Sequence, residues 1–219
     1  SYTPFPGLKL AAWQLPYPGE RYVGGMDLAD SPGAGDLSVL EVLDINSGRF
    51  VAEMEGRTRA IEVVMQGARV MKAYNNGIFG PEATGLGGPA IDALRREGYD
   101  RLYREAPAPG PWKPDEPVKY GWRTTAQSKS KLYALFSEAL ATGQITIFSP
   151  LLLQDMQEFN PNEEKHWPDR LMAAMIAWAI SLEAHRFKFD MRQGRFAQAV
   201  GAGSVLRPIS IPTYGKAVR

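Results

Sequence analysis

Three carboxylates from distant parts of the chain, Asp27, Glu82 and Asp169, would converge if the sheet folds as its pattern reads. Asp27 closes the run Tyr22-Val23-Gly24-Gly25-Met26, which reads as a short strand over 21–29. Ligands collect at strand ends in α/β folds, where the backbone fans into loops while the sheet holds positions rigid. A charge leaving a central strand is costly unless it is solvated, paired or bound to an ion. Glu82 follows the strand GIFGP and precedes ATGLGG, so it too sits at a strand end. Asp169 falls in the first turn of a helix that opens at Pro168, next to His166 and Trp167. Converged, the three would form an all-oxygen donor set of the kind Mg²⁺ takes. Two such ions about 3.5–4 Å apart activate a water and stabilise the leaving oxygen in phosphodiester hydrolysis. Each acid also has an ordinary reading: Asp27 turning the chain, Glu82 solvated, Asp169 favoured by the helix dipole. Asp30, Asp36 and Asp44 are further acids nearby, and Asp36, opening a strand, would face the site from its edge.

Other chemistries are excluded by residue type. The 219 residues contain no cysteine, which removes disulfides, cysteine-type zinc fingers and thiol catalysis. Two histidines, His166 and His185, leave a metal to be held by carboxylates. GxxxxGK[ST] and GxSxG are absent, and Gly85-Leu86-Gly87-Gly88 does not fill GxGxxG. The hydrophobic fraction of 44% and charged fraction of 22% belong to a globular domain. No apolar run approaches the roughly 20 residues a membrane helix needs, and no signal-peptide pattern opens the chain. Net charge is +1, so contact with a polyanion requires basic residues gathered on one face.

The elements that must position the acids follow from periodicity. Residues 1–20, with Pro4, Pro6, Pro16, Pro18 and Gly19, read as an extended lead-in segment that looks like a junction. Strands over 21–29, 36–45 and 49–55 form a meander, the last two joined at Asn46-Ser47-Gly48. A helix over 58–76 carries apolar residues at 60, 63, 64, 68, 70, 71 and 74. A strand beginning at Gly77 ends in the Gly-rich loop, then come a helix over 89–98 and a short strand over 99–105. After an exposed Pro-rich loop over 106–122, helices are expected over 127–143, 150–159 and 168–187, with a strand over 144–149. Three leading strands followed by βα units give an α/β fold: a mixed central sheet, an antiparallel meander plus parallel strands, with helices on both faces. The domain proper is read as 21–187, with 188–219 a flexible tail.

In this order the local patterns resemble the nuclease domain of tailed-phage large terminase subunits, from about Tyr22 to Phe187. That family's G-x-D strand end and following acid are matched by Gly25-Met26-Asp27 and by Asp36 opening DLSVLEVLD. Its second acid, ahead of a Gly-rich loop, is matched by Glu82-Ala83-Thr84-Gly85-Leu86-Gly87, with Thr84 where Asn is frequent. Its T-T-x-x-x-K helix start is matched by Thr124 to Lys129. Its H-D-D becomes His166-Trp167-Pro168-Asp169, so one of two adjacent acids is lost, and Asp169 takes the place of the second.

The resemblance implies an RNase H-like fold related to RuvC-type resolvases, and an ATPase motor domain preceding this segment. It implies a two-metal endonuclease, using Mg²⁺ or Mn²⁺, that cuts double-stranded DNA with little sequence preference during genome packaging. Asp27 would bridge both ions, Glu82 and Asp169 would each complete one, Asp36 would assist, and Lys129 would contact the scissile phosphate. By the same analogy the partners are the portal and the small terminase, and the location is the host cytoplasm at the procapsid portal.

DNA is positioned by phosphate contacts. Positive charge concentrates over 95–131, where Lys113, Lys119, Arg123, Lys129 and Lys131 are expected to border the DNA, among Trp112, Tyr120 and Trp122. The ordinary reading is a solvated basic face over packed aromatics. The sequence leaves two rival functions: a RuvC-like resolvase or recombinase, and a DNA- or portal-docking module with an impaired nuclease site.

Overall fold

The computed structural model describes residues 7–29, 37–105, 118–161 and 167–200, with the side chains of Ala126 and of 185–200 left aside. Its centre is a six-stranded sheet. The strands are β1 (Leu8–Ala12), β2 (Tyr22–Asp27), β3 (Ser38–Asp44), β4 (Arg49–Gly56), β5 (Ile78–Pro81) and β6 (Thr146–Ile147). The order is β1-β4-β3-β2-β5, with β6 beside the start of β4. The pairs β1–β4, β4–β3 and β3–β2 are antiparallel, whereas β2–β5 and β4–β6 are parallel.

The antiparallel core follows from the turn chemistry. Asp44 accepts from the Asn46 amide at 2.9 Å and from the Ser47 hydroxyl at 2.6 Å, and Gly48 takes φ +69°. That closes the hairpin and assigns Asp44 to the turn rather than to the acidic site. The parallel partner of β2 is reached through α1 (Ala60–Ala73), as parallel pairing requires a crossover.

Helices cover both faces. Met71 and Gly67 of α1 press on one face, where Gly67 leaves room for Met26 and Phe79; a Cβ there would lie 2.6 and 2.8 Å from their side chains. Ala90, Ile91 and Leu94 of α2 (Gly87–Arg96) join the same core. The opposite face takes α3 (Ala126–Ala141), whose Phe136 meets Phe50 edge to face. It also takes α4 (Pro150–Glu158), capped by Ser149, and the first part of α5 (Asp169–Val200), whose Ala173 packs on Leu37 and Val39. Even-numbered residues of β2 therefore look toward α1 and odd-numbered ones toward α5.

Several elements differ from the sequence expectation. The lead-in segment contributes a sheet strand, β1, registered from Leu8 opposite Gly56 to Ala12 opposite Ala52. The strand expected over 99–105 shrinks to isolated bridges, Leu102 with Phe79 and Arg104 with Tyr120. The one over 144–149 shrinks to two residues. The last helix continues past 187 to Val200. Contacts divide the chain into a unit over Ser1–Glu183 and a second over Ala184–Arg219, of which the described part is this helical run. No helix of the described residues is long and apolar enough to cross a membrane.

Candidate active site

The register of two parallel strands sets the first pair of acids side by side. Gly25 lies opposite Gly80 and Met26 opposite Pro81, so one residue further Asp27 adjoins Glu82. The Glu82 amide donates to the Met26 carbonyl at 2.8 Å and Ala83 to Trp122 at 2.7 Å, fixing the chain where β5 ends. The glycines that follow explain the loop. Gly85 takes φ +52°, and a Cβ on Gly87 would fall 1.9 Å from the Glu82 carbonyl oxygen, so only glycine lets the chain fold back over this acid.

The third acid arrives by helix packing. A Cβ on Gly25 would lie 2.3 Å from the Ala173 carbonyl and from the Ala177 amide, so α5 lies with its backbone directly on β2. Asp169 is one turn before Ala173, about 6 Å along the axis. Asp27 is two residues beyond Gly25, about 7 Å along the strand. The close crossing at Gly25 thereby carries Asp169 toward Asp27, and Asp169 also accepts from the Leu37 amide at 3.0 Å.

Lys129 reaches the same place from α3. Thr125 caps that helix, accepting from the Ser128 amide while the Ser128 hydroxyl accepts from the Thr125 amide, a capping box that accounts for the Thr-Thr start. Lys129, in the first turn, is partly buried, with its ammonium 5.9 Å from the Trp167 ring centre. Trp167, Tyr133 and Phe159 form an aromatic cluster beneath it.

Electrostatics register the convergence. Asp27 is partly buried, and its Oδ1 accepts from the Leu28 amide at 3.1 Å. Burial first, then a hydrogen bond with Glu82 and its charge, then the charge of Asp169, push the Asp27 carboxyl well above the usual carboxylate range. Lys129 pulls it in the other direction. The site is short of positive charge, and its donors are all hard oxygens, so the residues present fit a divalent cation. Among the described residues no three acids already close into a metal-binding group.

Asp30, Asp36 and His166 lie outside the described residues, as do Lys113 and Trp112 of the basic stretch. Lys119 and Lys131 are exposed. Arg123 is exposed as well, 3.8 Å from Glu105. Trp122 packs on Tyr103 at 5.7 Å, and Tyr120 takes Arg95 and Arg104 over its ring at 4.1 and 5.4 Å. These two aromatics therefore serve packing. Sequence reasoning overlooked the Leu37 amide, the role of Gly25 and the residue after Asp169. That residue, Arg170, binds Glu53 on β4, and acids alternating at 53 and 55 in an otherwise apolar strand were its visible signal.

No family model matches this chain, and no curated protein matches it by sequence. Solved structures do. The large terminase nuclease of thermophilic phage G20c, crystallised with bound zinc, superposes with a TM-score of 0.60 at 16% identity, over 78% of this chain and 86% of that one. The same nuclease with bound magnesium gives 0.60 at 15% identity, with the same coverage of both chains. The large terminase nuclease domain of Thermus phage P74-26 gives 0.57 at 15% identity, over 77% of this chain and 84% of that one. The chain thus has the fold of large terminase nuclease domains, a mixed sheet with helices on both faces.

Proposed function

We propose that this chain is a metal-dependent endonuclease that cuts double-stranded DNA during phage genome packaging. The observation that supports this reading most is the pairing of Asp27 and Glu82 at adjacent strand ends, with Asp169 of α5 and Lys129 of α3 near enough to act on the Asp27 charge, in the fold of large terminase nuclease domains. Asp27, Glu82 and Asp169 would hold Mg²⁺ or Mn²⁺ ions, two in number, with Asp36 assisting. When bound, such ions supply Lewis acidity at the phosphate and lower the pKa of an attacking water.

The chain's own residues do the rest. Asp27 anchors the centre from a strand whose register is fixed on both sides. Glu82 is set beside it by the backbone bonds to Met26 and Trp122. Lys129 brings an ammonium to the scissile phosphate, where it offsets charge in the transition state. Lys113, Lys119, Arg123 and Lys131 bind neighbouring phosphates, which gives affinity without sequence preference. The ATPase motor, the portal and the small terminase are the partners this role requires, at the procapsid portal in the host cytoplasm.

Conversion of supercoiled plasmid to nicked and linear forms tests the reading. Cutting with Mg²⁺ or Mn²⁺ that stops in EDTA and in Asp27→Ala is expected. A folded protein that cuts with neither metal would favour a DNA- or portal-docking module, and preference for branched over plain duplex DNA would favour a resolvase.

A further inference from the structure

We propose that Arg170 is a positioning residue for Asp169, clamping the first turn of α5 to the sheet so that the Asp169 carboxylate is held on the acidic site. The inference rests on the functional reading above and deepens it.

Asp169 is the first residue of α5, and the first turn of a helix lacks intrahelical partners for its amides and tends to fray. A carboxylate that must hold an ion needs its position fixed to about 0.5 Å. The next residue supplies an anchor. The Arg170 side chain is only 14% exposed and binds three acids on two other elements. Its Nε lies 3.1 Å from Glu53 and its Nη2 contacts Glu55, both on β4, while its Nη1 lies 3.6 Å from Asp155 on α4. A guanidinium can serve three acids at once because its donors form a fixed planar fork.

The clamp is itself braced. The Ser149 hydroxyl donates to Glu53 at 2.6 Å, and the same oxygen accepts from the Leu152 amide as the cap of α4. Glu53, the start of α4 and the first turn of α5 therefore meet at one buried point. Across the strand pair, Glu41 faces Glu53 and is fully buried. Burial, then the Glu53 charge, push its carboxyl well above the usual range. Adjacent residues of one turn thus divide the work: Arg170 grips β4 and α4 while Asp169 reaches the Leu37 amide and Asp27.

Mn²⁺ binding to the whole chain, followed by the electron paramagnetic resonance signal of free Mn²⁺, tests this without requiring cleavage. Arg170→Lys keeps the charge but loses the fork. Asp155→Asn removes only the most exposed of the three acids and leaves the fold safe if Arg170→Lys fails to fold. Both should weaken Mn²⁺ binding, Arg170→Lys by about tenfold and Asp155→Asn by less, as partners behind metal ligands do. Their circular dichroism, and their DNA affinity in EDTA, should stay at the wild-type level. Folded variants that bind Mn²⁺ as tightly as wild type overturn the positioning role, and a lowered melting temperature alone would mark Arg170 as structural. If wild-type protein neither binds Mn²⁺ through Asp27 nor cuts plasmid, the functional reading falls and takes this inference with it. Wild-type cutting with unmoved Mn²⁺ binding in the variants removes only the inference.

Discussion

The Leu37 backbone amide donates to the Asp169 carboxylate at 3.0 Å, joining residues 132 apart in sequence. This bond ties the lead into β3 to the first turn of α5, so an acid proposed to hold an ion is also part of the frame. The two roles separate by substitution. Asp169→Asn keeps an oxygen to accept from Leu37 and should leave stability within about 1 kcal/mol, the usual worth of one such bond. It should nevertheless lower cleavage by about 100-fold or more, because an amide is a poor ligand for a hard cation. Asp169→Ala should lose both, as thermal melts alongside plasmid nicking would read.

Gly25 governs how closely α5 approaches the sheet. Gly25→Ala places a methyl 2.3 Å from helix backbone atoms, which cannot rotate aside as a flexible side chain can. The expected cost is about 1–3 kcal/mol or more, the range for overpacking. Metal affinity should fall in whatever fraction still folds. Urea titration with an unchanged midpoint would show that α5 yields without consequence.

The three acids of the candidate site stand out in the sequence because they sit at punctuation. Asp27 ends an apolar run, Glu82 lies between a strand and a glycine loop, and Asp169 follows Pro168 at a helix start. The Thr125 cap was visible as a Thr-Thr helix start. What escaped depends on register or on other elements. β1 carries Lys9 and pairs only along one edge, so nothing in its own pattern announces a strand. The strand expected over 99–105 contributes only two bridges, because Leu102 and Tyr103 pack inward while their neighbours turn to solvent. Arg170 reads as an ordinary helix-start cation until β4 and α4 bring three acids to it.

Glu41, which is not among the proposed metal ligands, provides a pH test. Its folded carboxyl is raised by burial and by Glu53, so the folded state holds the proton more tightly than the unfolded chain. Stability therefore falls as pH rises from the ordinary carboxylate range through the folded value. Glu41→Gln removes that titration and should be more stable than wild type at neutral pH, by on the order of 1 kcal/mol or more. The advantage should shrink as pH approaches 4.3, the ordinary glutamate value. Melting curves of the two proteins from pH 4 to pH 8 check the sign; an advantage that grows on acidification contradicts it.

The lysines should divide by location. Lys129, partly buried beside Asp27, should matter to rate: Lys129→Ala is expected to slow cutting by about 10²–10³-fold, as loss of one transition-state donor does. Lys119→Glu and Lys131→Glu, at exposed positions, should instead weaken duplex binding and flatten its salt dependence by about 0.9 in log–log slope per phosphate lost. Fluorescence anisotropy over a salt series separates the two; charge reversals that leave binding unchanged remove these lysines from the DNA footprint.

Anomalous diffraction of Mn²⁺ in crystals of this protein would show whether Asp27, Glu82 and Asp169 form a divalent-metal centre. One or two anomalous peaks are expected within coordination distance of these three carboxylates, absent from crystals of Asp27→Ala. Peaks elsewhere, or none at Mn²⁺ concentrations that support cutting, would contradict such a centre.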